Sequence, residues 1–84
     1  MKIVTIYTGP LCTFCAAAKK LFTRNNIEYN EINIATVDGA MDEMISKANG
    51  KRTIPQIFFD DQHIGGYDEV RVLEKDNKLQ DLLK

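Results

Sequence analysis

The sequence is poor in residue types that mark several classes of protein. It has no tryptophan, one histidine, two prolines and two cysteines among 84 residues. The two cysteines and His63 fall short of the four ligands that a structural zinc site needs. With 11 basic and 12 acidic residues, the net charge of −1 offers no basic excess for binding nucleic acid.

Long apolar segments are also missing. No run approaches the ~20 residues of a membrane-spanning helix, so we expect no membrane partner. The apolar segment 3–7 is too short for the core of a signal peptide, and we expect a cytoplasmic, reducing location. The length, with 44% hydrophobic and 27% charged residues, predicts one globular domain over residues 1–84 with a modest core. We expect this domain to be a monomer.

The two cysteines, Cys12 and Cys15, stand three positions apart between a β-branched segment and a helical one. If a helix begins at Thr13, the Cys12 thiol lies beside unpaired N–H groups at the positive end of the helix dipole. Such a position lowers the pKa of a thiol from about 8.5 to roughly 3.5–7.5. Cys15, one turn further on, is close enough to form a disulfide.

A redox-active dithiol is the reading that this spacing favours in a reducing compartment. A bridge that closes so short a loop would stabilise the fold by only about 2 kcal/mol before any strain, which argues against a purely structural disulfide. A zinc half-site and a pair of inert, buried cysteines are the alternatives.

The residues around the cysteine pair predict a βαβ unit. Its strands are expected over residues 2–7 and 27–34, and its helix over residues 13–25. The first strand is nearly continuous in apolar residues and ends before Gly9-Pro10, which is typical of a strand buried on both faces. The two strands should therefore be parallel, with a right-handed crossover.

A second helix is expected over residues 37–48, with Thr36 or Asp38 as its N-cap and Asn49-Gly50 at its end. Its apolar side is formed by four side chains, Met41, Met44, Ile45 and Ala48.

The C-terminal third predicts a hairpin followed by helical segments. Strands over residues 56–59 and 62–64 are joined by Asp60-Asp61, a hairpin signal. Asp68 is expected to cap a third helix, and a final short turn packs through Leu79, Leu82 and Leu83. The order βαβ-α-ββ-α predicts an α/β sandwich in which the first strand is central.

Three segments should meet at one end of the central strand: the cysteine turn, Thr53-Ile54-Pro55 and Gly65-Gly66-Tyr67-Asp68. If the peptide bond before Pro55 is cis, the preceding N–H and C=O groups face outward and are free to pair with an extended peptide. A helix N-terminus at a glycine turn could bind a carboxylate. Taken singly, the proline also fits a plain strand start, and the glycine turn an ordinary helix cap.

Together these motifs resemble the glutaredoxin family. The resemblance rests on four segments at the expected spacings: Ile6-Tyr7-Thr8, the cysteine pair, Thr53-Ile54-Pro55-Gln56-Ile57-Phe58 and His63-Ile64-Gly65-Gly66-Tyr67-Asp68. It covers nearly the whole chain and is most similar to the short bacterial dithiol members. It implies a thioredoxin-like fold, with a mixed four-stranded sheet and helices on both faces.

The resemblance also implies an enzyme that uses glutathione to reduce protein disulfides and glutathione mixed disulfides. Its partners would be glutathione, as a co-substrate, and disulfide-bonded or glutathionylated proteins, with no permanently bound cofactor and no metal. Cys12 would be the nucleophile and Cys15 the resolving thiol. The implied glutathione-binding residues are Phe14, Thr53, Ile54, Pro55, Gly66, Tyr67 and Asp68.

Within that set, the backbone of Ile54, before a cis Pro55, would pair with the cysteinyl unit of glutathione. Tyr67 and Asp68 would hold its γ-glutamyl end. Phe14 replaces the usual tyrosine of the family and keeps an aromatic wall.

The chain departs from the family at two places. Many members carry a lysine shortly before the nucleophile, where this chain has Gly9-Pro10-Leu11; Lys51 and Arg52 are candidates to replace its charge. Thr13 stands where most dithiol members have proline, which permits an alternative: a dimer that binds a [2Fe-2S] cluster through one cysteine per protomer and two glutathiones. A further alternative is a thioredoxin substitute reduced by a flavoprotein, which the glutathione-groove motifs argue against.

Overall fold

The computed structural model describes residues 1–84 and has a four-stranded sheet at its centre, in the order β2-β1-β3-β4. The strands are β1 (Val4–Thr8), β2 (Asn30–Asn33), β3 (Gln56–Phe59) and β4 (Gln62–Gly65). β1 is parallel to β2 and antiparallel to β3, and β3 and β4 form an antiparallel hairpin. The predicted parallel pair, the inner position of the first strand and the hairpin are confirmed.

Four helices cover the two faces of this sheet. They are α1 (Thr13–Arg24), α2 (Ala40–Lys47), α3 (Tyr67–Lys75) and α4 (Leu79–Leu83). Successive side chains of a strand point to opposite faces, so β1 places Ile6 on the side of α1, α3 and α4, and Tyr7 on the side of α2. The larger core contains Ala18, Leu21, Phe22, Ile57, Phe59, Val70, Leu79 and Leu83. The smaller core packs Met44 and Ala48 of α2 against Tyr7 and Phe58.

The second strand begins later than predicted, at Asn30 rather than at residue 27. Ile27 is buried, but its N–H donates to the carbonyl of Phe22 at 2.9 Å and so belongs to the end of α1. Asn26 adopts a left-handed conformation (φ 57°), and its N–H donates to Thr23. This pair of bonds is a Schellman motif, which is why an apolar residue that suits a strand instead terminates the helix.

The second helix is shorter than predicted, and neither Thr36 nor Asp38 caps it. Gly39 is the N-cap, in the left-handed conformation (φ 75°), and the helix starts at Ala40. Met41, predicted on the apolar side of this helix, lies outside the core and is 40% exposed; the buried positions are Ala40, Met44 and Ala48. The predicted end is confirmed: Asn49 is left-handed (φ 57°), and Gly50 N–H donates to Ile45.

The third helix is capped by Gly66 and not, as predicted, by Asp68. Asp68 lies in the first turn, where its charge suits the helix dipole. The N–H of Gly66 donates to Oε1 of Glu69 at 2.8 Å, so the side chain that closes this helix end is the one after Asp68.

No helix in the structure combines the length and the apolar character needed to cross a lipid bilayer.

Candidate active site

The cysteine turn lies where β1 gives way to α1. Cys12 is the N-cap of α1, with extended backbone angles (φ −112°, ψ 104°). Its carbonyl accepts the N–H of Ala16, while the N–H of Cys15 points at the Cys12 Sγ atom, 3.1 Å away. The predicted placement of Cys12 at the first turn of a helix is confirmed. The N–H of Cys15 and the positive end of the helix dipole both favour negative charge on a sulfur at this position.

The two cysteines differ in exposure. Their Sγ atoms lie at disulfide distance and their Cα atoms are 5.2 Å apart. Cys15 is 2% exposed and faces the protein interior, whereas Cys12 is half-buried at the surface. A disulfide partner that approaches from solvent can therefore reach the sulfur of Cys12 but not that of Cys15.

The second predicted segment stands beside Cys12. The Ile54–Pro55 peptide bond is cis, and the carbonyl oxygen of Ile54 is 3.8 Å from Cys12 Sγ. The N–H of Ile54 has no hydrogen-bond partner within the chain. An unpaired N–H and a carbonyl whose one partner is Cys12 Sγ thus lie on the same residue beside the cysteine, the arrangement an extended peptide can pair with.

The third predicted segment completes the rim on the side of α3. The ring of Tyr67 stacks on that of Phe14, with the centroids 5.9 Å apart and the planes inclined by 26°. Gly66 packs close to the backbone of Pro55: a Cβ at Gly66 would lie 3.4 Å from the Pro55 carbonyl oxygen. These contacts connect α1, the Pro55 segment and the N-terminus of α3.

A groove with a cavity of about 190 Å³ lies between these segments. All the residues that the resemblance assigned to glutathione binding line it: Phe14, Thr53, Ile54, Pro55, Gly66, Tyr67 and Asp68. The structure therefore brings the predicted set together, and the binding role of each member stays a prediction. Of the two basic candidates, Lys51 lines the groove and Arg52 does not.

Two further residues line the groove that the sequence analysis did not assign to it, Gln56 and Glu69. Gln56 follows Pro55 directly and is 2% exposed, which makes it one of two buried polar residues in the chain. Glu69 is adjacent to Asp68. The signal for Glu69 was its place three residues after Gly66, the spacing at which a carboxylate reaches back to the N-cap.

His63 lies next to this groove on β4. Burial lowers the pKa of His63 below its ordinary value, Lys51 lowers it further by charge repulsion, and Glu69 acts in the opposite direction. His63 is therefore harder to protonate than a free imidazole, and Lys51 is the cation that contributes to this.

A larger crevice of about 810 Å³ lies elsewhere, between the N-terminal segment and residues 23–30. It contains neither cysteine and none of the residues predicted to act in the site. Cys12 does not line the smaller groove either, but Ile54 does, and its carbonyl oxygen is 3.8 Å from Cys12 Sγ. The smaller groove is therefore the one beside the cysteine pair.

Comparison with known proteins places these features in one family. A family model described as Glutaredoxin matches residues 4–64. A probable glutaredoxin of Synechocystis sp. is 45% identical over 80 residues, which cover 95% of this chain and 91% of that protein.

Solved structures give the same result for the fold. The glutaredoxin of Brucella melitensis has a TM-score of 0.84 and 43% identity, covering 100% of this chain and 90% of that one. A buckwheat glutaredoxin in complex with glutathione has a TM-score of 0.85 and 28% identity, covering 98% of this chain and 76% of that one. The thioredoxin-like fold implied by the sequence is thereby confirmed.

Proposed function

This chain belongs to the glutaredoxin family, and from that premise we propose that it is a glutathione-dependent thiol–disulfide oxidoreductase. Its substrates would be protein disulfides and mixed disulfides between glutathione and a protein or small thiol. The observation that carries this proposal is the half-buried Cys12, set at a helix N-terminus beside the carbonyl and the unpaired N–H of Ile54.

The first step follows from the exposure of the two sulfurs. The Cys12 thiolate attacks the glutathione sulfur of a mixed disulfide; a Cys12–glutathione bond forms, the old disulfide bond breaks, and the released thiolate takes a proton from water. The N–H of Cys15 and the N-terminus of α1 favour the thiolate that this step consumes. A glutathione thiolate then attacks the glutathione sulfur, releasing glutathione disulfide and regenerating Cys12.

A protein disulfide requires both cysteines. Cys12 attacks one sulfur of the target and forms a mixed disulfide with it, and Cys15 then attacks Cys12. The target leaves with two thiols, and the enzyme holds the Cys12–Cys15 disulfide. Two glutathione molecules reduce that disulfide and supply the two electrons. The 5.2 Å between the two Cα atoms suits this ring closure.

The groove supplies the binding site for the tripeptide. The N–H and C=O of Ile54 would pair with the cysteinyl unit, which would place its sulfur against Cys12. The N-terminus of α3 at Gly66, Tyr67 and Asp68 would hold the γ-glutamyl end, since backbone N–H groups there favour a carboxylate. Lys51 is the cation that lines the groove and would face the glycyl carboxylate. The buckwheat complex, a relative of the same fold with glutathione bound, supports this use of the groove.

The proposed enzyme would work as a monomer in a reducing compartment, the cytoplasm, where glutathione keeps the released thiols reduced.

The test is turnover of the disulfide between glutathione and 2-mercaptoethanol, with glutathione and glutathione reductase regenerating the enzyme. We expect turnover to require glutathione, and we expect a flavoprotein thioredoxin reductase not to support turnover when glutathione is left out. Turnover with the flavoprotein alone would overturn the glutathione proposal. Dimeric protein with iron, sulfide and visible absorbance after anaerobic purification would favour the cluster-binding alternative. That alternative is permitted by Thr13, which stands at the first helical position in place of proline.

A further inference from the structure

A hydrogen-bond chain that passes through one buried side chain runs from β4 to the edge of the groove. Its middle member, Gln56, is 2% exposed. Gln56 Nε2 donates to the carbonyl oxygen of Thr53 at 3.0 Å and lies 3.1 Å from the Thr53 hydroxyl. Gln56 Oε1 is 2.7 Å from Nε2 of His63.

The donors and acceptors in this chain can be assigned without ambiguity. The Thr53 carbonyl only accepts, so the amide of Gln56 must turn its NH₂ group toward Thr53 and its oxygen toward His63. His63 must then carry its proton on Nε2. The ring of His63 also stacks on Phe58, with centroids 5.0 Å apart and planes inclined by 30°, which holds it in that direction. The Thr53 carbonyl therefore fixes which way the amide of Gln56 faces, and the Nε2–H of His63 donates to the amide oxygen and holds it there.

The orientation of Gln56 has a consequence on the other side of the Thr53–Ile54 peptide. That peptide is trans, since Ile54–Pro55 is the only cis bond in the chain. In a planar trans peptide the C=O of one residue and the N–H of the next point in opposite directions. Because Gln56 holds the Thr53 carbonyl toward the interior, the Ile54 N–H is turned outward, where it has no partner within the chain.

We infer that Gln56 and His63 are positioning residues that aim the Ile54 N–H at the substrate. His63 holds the amide of Gln56 in place, Gln56 holds the Thr53 carbonyl, and the fixed peptide presents its N–H to the glutathione unit beside Cys12. The inference rests on the proposed function, because it names what holds the proposed binding group in place. Neither residue touches the reacting sulfurs, so their effect is on binding and alignment and not on the chemistry of Cys12.

If Gln56 had a purely structural role, its buried amide would only fill space and satisfy its own hydrogen bonds. A side chain of the same size would then leave KM unchanged. Methionine has nearly the same shape and would fill the same space, but it cannot donate to Thr53. The comparison of Gln56→Met with Gln62→Met, at an exposed position on β4 outside the groove, separates loss of the hydrogen bond from the change of side chain.

The experiment measures kcat and KM for the glutathione–mercaptoethanol disulfide. We expect Gln56→Met to raise KM about tenfold, the effect of losing one well-placed hydrogen bond, with kcat changed less than about twofold. His63→Leu should raise KM in the same way, and His63→Gln, whose amide places a donor near the position of Nε2, should restore it. Gln62→Met should behave as the wild type.

Two measurements separate positioning from damage to the fold. The rate at which iodoacetamide alkylates Cys12 should be the same in all these variants, because the thiol itself is untouched. Nitrogen-15 NMR of the imidazole should show the Nε2–H tautomer of His63 in the wild type.

The possible failures are distinguishable. A wild-type protein without glutathione-dependent turnover would overturn the proposed function and this inference with it. With an active wild type, an unchanged KM in folded Gln56→Met would overturn the positioning role alone. So would equal KM values for His63→Leu and His63→Gln, or the Nδ1–H tautomer of His63.

Discussion

The Sγ atom of Cys12 lies 3.8 Å from the carbonyl oxygen of Ile54, a residue 42 positions further along the chain. The contact joins the end of β1 to the start of β3, two neighbouring strands at the centre of the sheet. Because those strands are antiparallel, the residue that follows the first strand and the residue that precedes the third meet at the same edge. A reactive sulfur and an open backbone edge are thus brought together by the topology of the sheet.

The unequal exposure of the two cysteines predicts unequal effects of their replacement. Cys12→Ser should abolish all disulfide reduction, because Cys15 is too deeply buried to attack a substrate. Cys15→Ser should retain reduction of the glutathione–mercaptoethanol disulfide and lose reduction of protein disulfides that need two thiols. Steady-state rates with both substrate types check this. Equal loss of the small mixed-disulfide activity in the two variants would contradict the division of roles.

Lys51 and Arg52 are adjacent basic residues, but only Lys51 lines the groove. Lys51→Gln should raise KM for the glutathione–mercaptoethanol disulfide about two- to fivefold, as expected for loss of one exposed ion pair, and the difference should shrink in high salt. Arg52→Gln, the matched control, should leave KM unchanged. NMR titration should also show that the pKa of His63 rises in Lys51→Gln, since the lysine lowers it in the wild type. Equal effects of the two changes would mean that Lys51 acts through net charge alone.

Much of the architecture could be predicted from the sequence because local pattern and topology agree. The spacing of apolar residues predicted helix α1. A helix between two predicted strands is a βαβ unit, and the parallel pairing of β1 with β2 followed from that. The cysteine site was predictable for a similar reason: two cysteines at that spacing need only a helix start to become a reactive pair. The residues of the glutathione groove, by contrast, came from the family resemblance and not from periodicity.

The errors occurred where backbone geometry outweighs side-chain pattern. Thr36, Asp38 and Gly39 are all acceptable N-caps by residue type, and the left-handed turn at Gly39 decided among them. Ile27 has strand character, but its N–H is needed to close α1. Gln56 was predicted in a strand and within the family motif, but not in the site, because its proposed role depends on where the Thr53 carbonyl points, which a sequence pattern does not encode.

Gly9 lies close to Ile54, which lines the groove. A Cβ at Gly9 would lie 2.7 Å from Cδ1 of Ile54, so the isoleucine would have to move. Gly9→Ala should therefore lower the free energy of unfolding by about 1 kcal/mol through overpacking. Ile54→Val removes the clashing atom, and Gly9→Ala in that background should cost about 0.5 kcal/mol or less. Urea unfolding of the four proteins gives the coupling; equal costs of Gly9→Ala in both backgrounds would rule out the contact.

Glu74 links the C-terminal ends of α1 and α3, the two helices whose N-termini border the groove. Arg24 contacts its carboxylate through two nitrogens, at 2.8 and 2.7 Å, and Asn25 donates to it at 2.6 Å. The hydrogen bond from Arg24, above all, lowers the pKa of Glu74 from 4.5 to about 2, against the opposing effect of burial. The Glu74 side chain is 19% exposed and that of Arg24 51% exposed, so solvent screens part of this interaction.

The sign of the resulting pH dependence follows from the lowered pKa. A carboxyl group whose pKa is lower in the folded state stabilises the fold above its unfolded value, and that contribution disappears as the pH falls through the folded value. Glu74→Gln should therefore be less stable than the wild type by about 1–2 kcal/mol at pH 7, after allowance for screening. The difference should narrow between pH 4.5 and about 2.

Urea unfolding from pH 7 to pH 2 measures this difference, with Glu28→Gln as the control, since Glu28 is exposed and makes no ion pair. The control should show no comparable narrowing. The wild type and Glu74→Gln should have the same turnover at pH 7 well below their unfolding temperatures, because the contact lies at the helix ends remote from Cys12. A stability difference that stayed constant down to pH 2 would mean that Glu74 acts through packing, and the ion pair would then have no part in holding the two helices together.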